Sequence, residues 1–343
     1  MKVLLGMSGG VDSTYAVVEL RKMGYEVFGA VVRMHEYTET EEARISAEAL
    51  GVPLFVIDGT QLFEEKVVSS FIEEYRSGRT PNPCIVCNRE VKFKLLLDFA
   101  LQNGFDKIAT GHYADIVEIS DAAGVRYALK RSGDSRKDQT YMLWRLPQEV
   151  LSRLVFPLAS ITKDTVKLES EKMELRAAYR NESQEICFVP DGNYASYIEK
   201  RKGKCPEGNF VDEAGKILGR HKGIIHYTVG QRKGLGIALG ERAFITSINP
   251  FTNDITLSTK DSYTDGFTVS DMVFSGLSEP APGAELFLDV KHRYLAPLTK
   301  AKLTYLGGGR AKLFFDAPIR AVTPGQSAVF YDNGILMAGG IID

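Results

Sequence analysis

The chain opens with an apolar run, Val3-Leu4-Leu5, which gives way to Gly6-Met7-Ser8-Gly9-Gly10 and then to Tyr15-Ala16-Val17-Val18-Glu19-Leu20. That order predicts a strand, a glycine turn and a helix over Val11–Met23. A second near-continuous apolar run, Tyr25 to Val32, reads as a strand buried on both faces, which implies a parallel sheet covered by helices. The alternation continues with a helix predicted over Thr40–Leu50, a strand over Val52–Ile57, amphipathic helices over Thr60–Arg76 and Arg89–Gln102, and a strand over Asp106–Thr110. Ala114–Ile119 and Val125–Lys130 read as a hairpin-like pair, and Thr162 is placed to cap a helix over Lys163–Leu175. Repeated strand-helix units predict an α/β fold with a doubly wound parallel sheet. Its ligand is expected at the carboxyl ends of the strands, where Ser8, Val32 and Gly111 fall.

From about Gly203 the pattern changes to short glycine-punctuated segments such as Gly208–Val211 and Gly219–Gly223, which read as small hairpins. Tyr227 to Gly236 is a basic glycine loop. After Asp261, alternating strands with turns at Ala281-Pro282-Gly283, Gly307-Gly308-Gly309 and Pro324-Gly325 predict a closed β barrel.

A length of 343 residues suggests more than one core. The net charge of −2 hides a segregation: Glu36 to Glu74 holds ten acidic and two basic side chains, whereas Lys200 to Arg242 holds ten basic and four acidic. A basic segment on a near-neutral protein suits local contact with a polyanion, with a solvated face as the plainer reading. No apolar run reaches membrane-span length and the N-terminal residues carry no signal-peptide pattern, so a cytoplasmic protein is expected. Four cysteines in a reducing compartment point to catalysis or metal binding rather than to structural disulfides.

The stretch Gly6-Met7-Ser8-Gly9-Gly10-Val11-Asp12-Ser13 is an anion site by its physics. Its glycines permit close backbone approach, and the start of the following helix presents free amides and a positive dipole end to phosphate. No Gly-Lys-Ser/Thr follows, so it is not the lysine-bearing phosphate loop. It matches Ser-Gly-Gly-x-Asp-Ser, the pyrophosphate (PP) loop of enzymes that split ATP to AMP and pyrophosphate. Further on, Pro81 and Pro83 fix an extended lead-in, so Cys84 and Cys87 are expected beside the N-terminus of a helix beginning near Arg89, where a thiol's pKa is lowered.

The PP loop, Gly78-Arg79-Thr80-Pro81-Asn82-Pro83 with Cys87-Asn88, Gly111-His112-Tyr113, Lys137-Asp138-Gln139, Ile186-Cys187-Phe188 and the Gly-Gln-Arg-Lys-Gly-Leu-Gly run ending at Gly236 occur in this order. Together they resemble the bacterial tRNA-specific 2-thiouridylases, and the resemblance reaches the C-terminal barrel. It implies an ATP-pyrophosphatase domain, a small β-rich central domain and a tRNA-binding β barrel, divided here at residues 1–200, 201–262 and 263–343. It implies 2-thiolation of the wobble uridine of tRNA with ATP and Mg²⁺, sulfur coming from a donor protein, either a cysteine desulfurase or a sulfur carrier, and a monomeric enzyme. ATP contacts fall on Gly6 to Ser13, Val32 and Gly111, and Asp12 joins Cys87 and Cys187 as catalytic. Contacts with the target base and tRNA fall on Asn82, Pro83, Cys84, His112, Lys137, Asp138, Gln139, Arg293, Tyr294 and Gln326. Read without the resemblance, His112 is a packing residue, Asp138 a helix cap and the barrel residues ordinary surface.

The implied reaction adenylates the uridine 2-oxygen, making AMP the leaving group, after which sulfur attacks. A persulfide on Cys187 delivers it, Cys87 releases it, and the two thiols finish as a disulfide. The sequence departs from the family at position 84, usually Asp; with Cys84, three thiols are available, and a [4Fe–4S] cluster on Cys84, Cys87 and Cys187 with one open iron is a second route. Cys205 has no matching role. The family's acidic insert after Val32 is short here, Arg33 to Glu39. Two other classes stay open: a synthetase using the same ATP loop without the cysteines, and an RNA-binding module with a vestigial nucleotide fold.

Overall fold

The computed structural model describes residues 1–121, 124–180, 186–237, 242–260, 263–320 and 322–343. Strands β1 (Lys2–Gly6), β2 (Glu26–Arg33), β3 (Leu54–Asp58) and β4 (Lys107–Thr110) build a sheet that the short strand Leu154–Val155 completes, in the order β3-β2-β1-β4 and then that strand, every pairing parallel. Strand order reverses between β1 and β4, so the crevice at their carboxyl ends is the ligand position of a doubly wound sheet. Val3, Leu4 and Leu5 are fully buried, as a strand covered on both faces requires. Helix α1 (Val11–Lys22) leaves the glycine turn and packs Ala16, Val17 and Leu20 onto one side of the sheet. Helix α2 (Thr40–Ala49) follows β2.

Two predicted helices are built differently from expectation. Thr60–Arg76 contains a π turn at Glu64–Val68. The helix expected from Arg89 begins at Pro83: Pro83–Cys87 runs through a π turn, Asn88–Lys92, into Phe93–Gln102. Pro83 sits at the first helical position, where its missing N–H costs nothing. Cys84 and Cys87 therefore lie within the helix rather than ahead of it, and the π turn follows Cys87 directly.

A small four-stranded sheet spans Gly208 to Ser258. The C-terminal strands close a barrel in the order Tyr263–Phe274, Arg310–Arg320, Thr299–Gly307, Glu285–Lys291, Ser327–Asp332 and Ile335–Ile342, with the first strand pairing back onto the last. The hairpin Asp115–Asp121/Gly124–Lys130 does not belong to the N-terminal sheet but extends the barrel sheet, with Lys130 paired to Ile335. Trp144 fastens the same junction: it is fully buried, its indole N–H donates to Ser327 Oγ at 3.0 Å, and a Cβ on Gly339 would lie 2.4 Å from its ring. One hydrophobic core accordingly runs from Leu4 and Phe63 through Trp144 to Val329, Tyr331 and Leu336 of the barrel. Among the described residues no helix is long and apolar enough to cross a membrane.

Candidate active site

The glycine turn is held shut by its own side chains. Ser13 Oγ accepts from the Ser8 amide at 3.2 Å and donates to the Gly10 carbonyl at 3.0 Å, and Thr14 Oγ1 donates to the same carbonyl at 2.9 Å. Gly9 has φ +76°, and a Cβ there would lie 2.6 Å from the Glu42 carbonyl carbon and 2.8 Å from Ala43 N. The first turn of α2 therefore rests on the middle of the loop. Gly111, just past β4, is required for a second close approach: its Cβ would lie 2.7 Å from Ser13 N and 2.8 Å from Asp12 C. The β1 register ends at Gly6 opposite Ala30, so β2 runs past β1 and Val32 lies on that extension.

Asp12, in the first turn of α1, is the electrostatic hub. Lys163 Nζ donates to both of its carboxylate oxygens at 2.7 Å, and Tyr113 OH donates to Oδ1 at 2.7 Å. Lys163 opens a helix, Lys163–Lys172, whose N-cap Thr162 accepts from Thr165 N as predicted. Its own amide donates to Asp134 Oδ2 at 3.2 Å. Neither partner was singled out from sequence for this role. Tyr113 lay in a marked motif, whereas Lys163 carried no signal beyond following a cap.

The three thiols share one neighbourhood. Burial raises all of them, contrary to the lowering expected of a helix N-terminus, and Cys87 is pushed up to about 12. Cys84 and Cys187 reach solvent but are enclosed by enough protein for desolvation to dominate, whereas Cys87 is buried, its S–H directed at Met34 Sδ at 3.3 Å. Lys92 works against burial at each of the three thiols and lowers them. Its ammonium donates to Asn88 Oδ1 at 3.1 Å, and the Asn88 amide donates to the Met142 carbonyl at 2.9 Å. The four-residue steps Cys84, Asn88, Lys92 were the available sequence signal, one face of a helix. Among the described residues, which include all three cysteines, no group of three or more His, Cys, Asp or Glu is placed to hold a metal ion. The thiols as arranged do not fit the ligand set of a cluster. Cys205 lies apart, buried against Gly223.

Several residues expected at tRNA are bonded within the protein. Asp138 is buried; its carboxylate accepts from Arg131 Nε at 3.1 Å and from Thr140 Oγ1 at 3.0 Å, the capping alternative. Gln326 donates to the Thr80 carbonyl at 2.7 Å and Thr80 N donates to the Pro324 carbonyl at 2.9 Å, so this barrel turn clamps the loop ahead of the thiol helix. Arg293 donates to Thr323 Oγ1 and to the Val229 carbonyl, tying barrel to central sheet. Tyr294 is half-buried beside Tyr141. Gln139 bonds the Tyr113 backbone in both directions at 2.9 Å, and Lys137 N donates to the Asp134 carbonyl. His112 lies between Phe93 and Phe156 with Nδ1 2.8 Å from Thr110 Oγ1, and burial lowers it to about 3, so the ring is neutral. Asn82 stands ahead of the thiol helix with its amide 3.5 Å from Met142 Sδ, and Pro83 is buried.

A glycine loop at the carboxyl end of β1 and three thiols in one neighbourhood narrow the chemistry, and relatives decide the family. Curated proteins named tRNA-specific 2-thiouridylase MnmA match end to end: that of Acetivibrio thermocellus is 44% identical and that of Lachnoclostridium phytofermentans 42% identical, each match covering 99% of this chain and 99% of the relative. The chain belongs to the tRNA-specific 2-thiouridylase family. Three domain-family models cover it in succession: tRNA methyl transferase HUP domain over residues 1–191, tRNA methyl transferase PRC-barrel domain over 195–259, and Aminomethyltransferase beta-barrel domain over 264–342. Caldicellulosiruptor saccharolyticus supplies a further 2-thiouridylase relative, 42% identical across 100% of this chain and 98% of its own.

Proposed function

We infer that the chain is a tRNA-uridine 2-sulfurtransferase that activates the wobble uridine with ATP and replaces its 2-oxygen with sulfur. The observation that carries this reading is that Cys87 and Cys187, distant in sequence, share one neighbourhood in which Lys92 lowers both, on a chain 42–44% identical to named 2-thiouridylases. The loop amides from Ser8 to Ser13 receive the β- and γ-phosphates, and Val32 and Gly111 flank the adenosine. Asp12 would hold the Mg²⁺ that accompanies ATP, and the ion would supply positive charge against the departing pyrophosphate. Asn82, Pro83 and Cys84 meet the target base, and Lys137 and Tyr294 lie on the tRNA side.

For sulfur, the thiol geometry favours the persulfide over the cluster. A donor protein, a desulfurase or carrier, loads Cys187 as Cys187–S–S⁻. The Cys87 thiolate attacks the Cys187 sulfur, the persulfide S–S bond breaks, and sulfide leaves with the electron pair. Sulfide then displaces AMP from C2, and the Cys87–Cys187 disulfide awaits an external dithiol. Lys92 lowers the cost of each sulfur anion. The wording "methyl transferase" of the domain families has no counterpart in this machinery, since methyl transfer needs neither a pyrophosphate loop nor paired thiols. We further propose a cytoplasmic monomer divided near residues 200 and 262.

The test is thiolation of unmodified tRNA by protein freed of iron with a chelator, using a persulfide donor. Formation of 2-thiouridine with one pyrophosphate per thiolation, abolished by Cys87→Ser, supports the reading. Full activity in the Cys87→Ser, Cys187→Ser double variant sinks it in favour of a thiol-independent synthetase, and activity only in iron-loaded protein overturns the persulfide route.

A further inference from the structure

The loop Gly6 to Ser13 contains no lysine or arginine, yet the group it releases carries several negative charges. Lys163, a cation that reaches the loop's end, is bonded to Asp12. Two further cations, Arg176 and Arg180, are bonded to the helix start that touches Gly9. Arg176 Nη2 donates to Glu42 Oε1 at 2.9 Å, and Arg180 Nη2 donates to Glu39 Oε2 at 2.6 Å with Nη1 3.8 Å from Glu42 Oε2. Both carboxylates sit at the N-terminal end of α2, the same turn whose Glu42 and Ala43 backbone touches Gly9. Glu42 and Arg180 are largely shielded from solvent, at 19% and 30% side-chain exposure, whereas their partners Arg176 and Glu39 are exposed, at 64% and 56%.

We propose that Arg180, assisted by Arg176, is a pyrophosphate-binding residue of the ATP site, held on Glu39 and Glu42 while the loop is empty and transferred to the β- and γ-phosphate oxygens when it is filled. The inference rests on the ATP reading of the loop and deepens it. A guanidinium suits the exchange. It keeps its charge at all relevant pH, and its fork bonds carboxylate and phosphate with the same two-pronged geometry. The carboxylates play two parts. They hold the arginines close to the loop without a counter-ion from solvent, and they compete with phosphate, so that pyrophosphate is not retained after the reaction. An acidic helix start directly beside a phosphate loop is otherwise repulsive, which the arginines explain.

The experiment is calorimetric titration of the full chain with inorganic pyrophosphate and, separately, with ATP, each with Mg²⁺, at low ionic strength. Arg180→Gln is expected to weaken pyrophosphate binding about tenfold, and Arg180→Lys to recover part of the loss. Glu39→Gln is expected to tighten it about threefold by freeing the arginine, and that gain should shrink in the Arg180→Gln background. A gain of equal size in both backgrounds means that Glu39 merely repels phosphate, and overturns the proposal. So does weaker binding in Glu39→Gln, which makes the ion pairs a structural latch, or unchanged binding in Arg180→Gln. If the wild-type chain binds neither ATP nor pyrophosphate, the ATP reading itself fails. If it binds both and the substitutions leave that binding unchanged, this inference alone fails.

Discussion

Lys163 Nζ lies 2.7 Å from each carboxylate oxygen of Asp12, across 151 positions of sequence. Lysine has no loop glycine to follow here, so the fold supplies the charge from a distant helix start and aims it through the carboxylate at the loop. Tyr113 OH completes the arrangement on Oδ1, and Asp12 remains partly open toward the crevice.

Removing that charge leaves Asp12 partly buried without its main partner. Lys163→Met is expected to lower kcat/KM for ATP about 100-fold in a pyrophosphate-release assay, which corresponds to about 2.7 kcal/mol. Tyr113→Phe, which removes one neutral donor, is expected to cost about tenfold or less. Equal losses in both would mean that the hydroxyl, not the ammonium, organises Asp12.

Gly111→Ala tests the contact between β4 and the start of α1. Its new Cβ would meet Ser13 N at 2.7 Å and Asp12 O at 2.9 Å, both backbone atoms that cannot rotate away. The loop must shift, so the KM for ATP is expected to rise at least about tenfold, with stability lowered by about 1–3 kcal/mol. A normal KM would show that phosphate binding does not depend on the spacing of these two elements.

Trp144 carries the joint between barrel and N-terminal sheet. Trp144→Ala removes a fully buried indole and its bond to Ser327, and is expected to cost about 3 kcal/mol or more and roughly 4 °C in thermal midpoint. Limited proteolysis should then cut at the junction of the N-terminal sheet with the barrel before either is degraded. An unchanged midpoint would mean that the strand pairing of Lys130 with Ile335 suffices.

His112 sets an acid limb. Its folded pKa is lowered to about 3 by burial and by Lys92, against an ordinary value near 6.5. As pH falls below about 6.5 the unfolded chain takes up a proton that the folded chain refuses, so stability is lost on the way down toward 3. Because the residue as a whole is only of intermediate burial, a loss of about 2 kcal/mol by pH 4 is expected. Denaturant titration of His112→Asn across pH 4–7 should show a flatter limb than the parent chain. Parallel limbs would place the acid sensitivity elsewhere.

What was legible in the sequence is what local periodicity and local stereochemistry govern. The apolar runs around Leu4 and Val31 declared a doubly covered parallel sheet, the glycines from Gly6 to Gly10 declared the turn, and Thr162 declared a helix start, because each depends on neighbours a few residues away. The thiol helix was misjudged at its beginning, since Pro83 starts a helix as readily as it ends an extended lead-in. Only the tertiary structure decided the rest. It set the charge environment: burial overrode the helix end at Cys87, Lys92 came to serve three thiols at once, and Lys163 and Tyr113 converged on Asp12. It also turned Asp138 and Gln326 inward, because a side chain's partners across a domain junction follow from long-range pairing, such as Lys130 with Ile335, that no window of sequence contains.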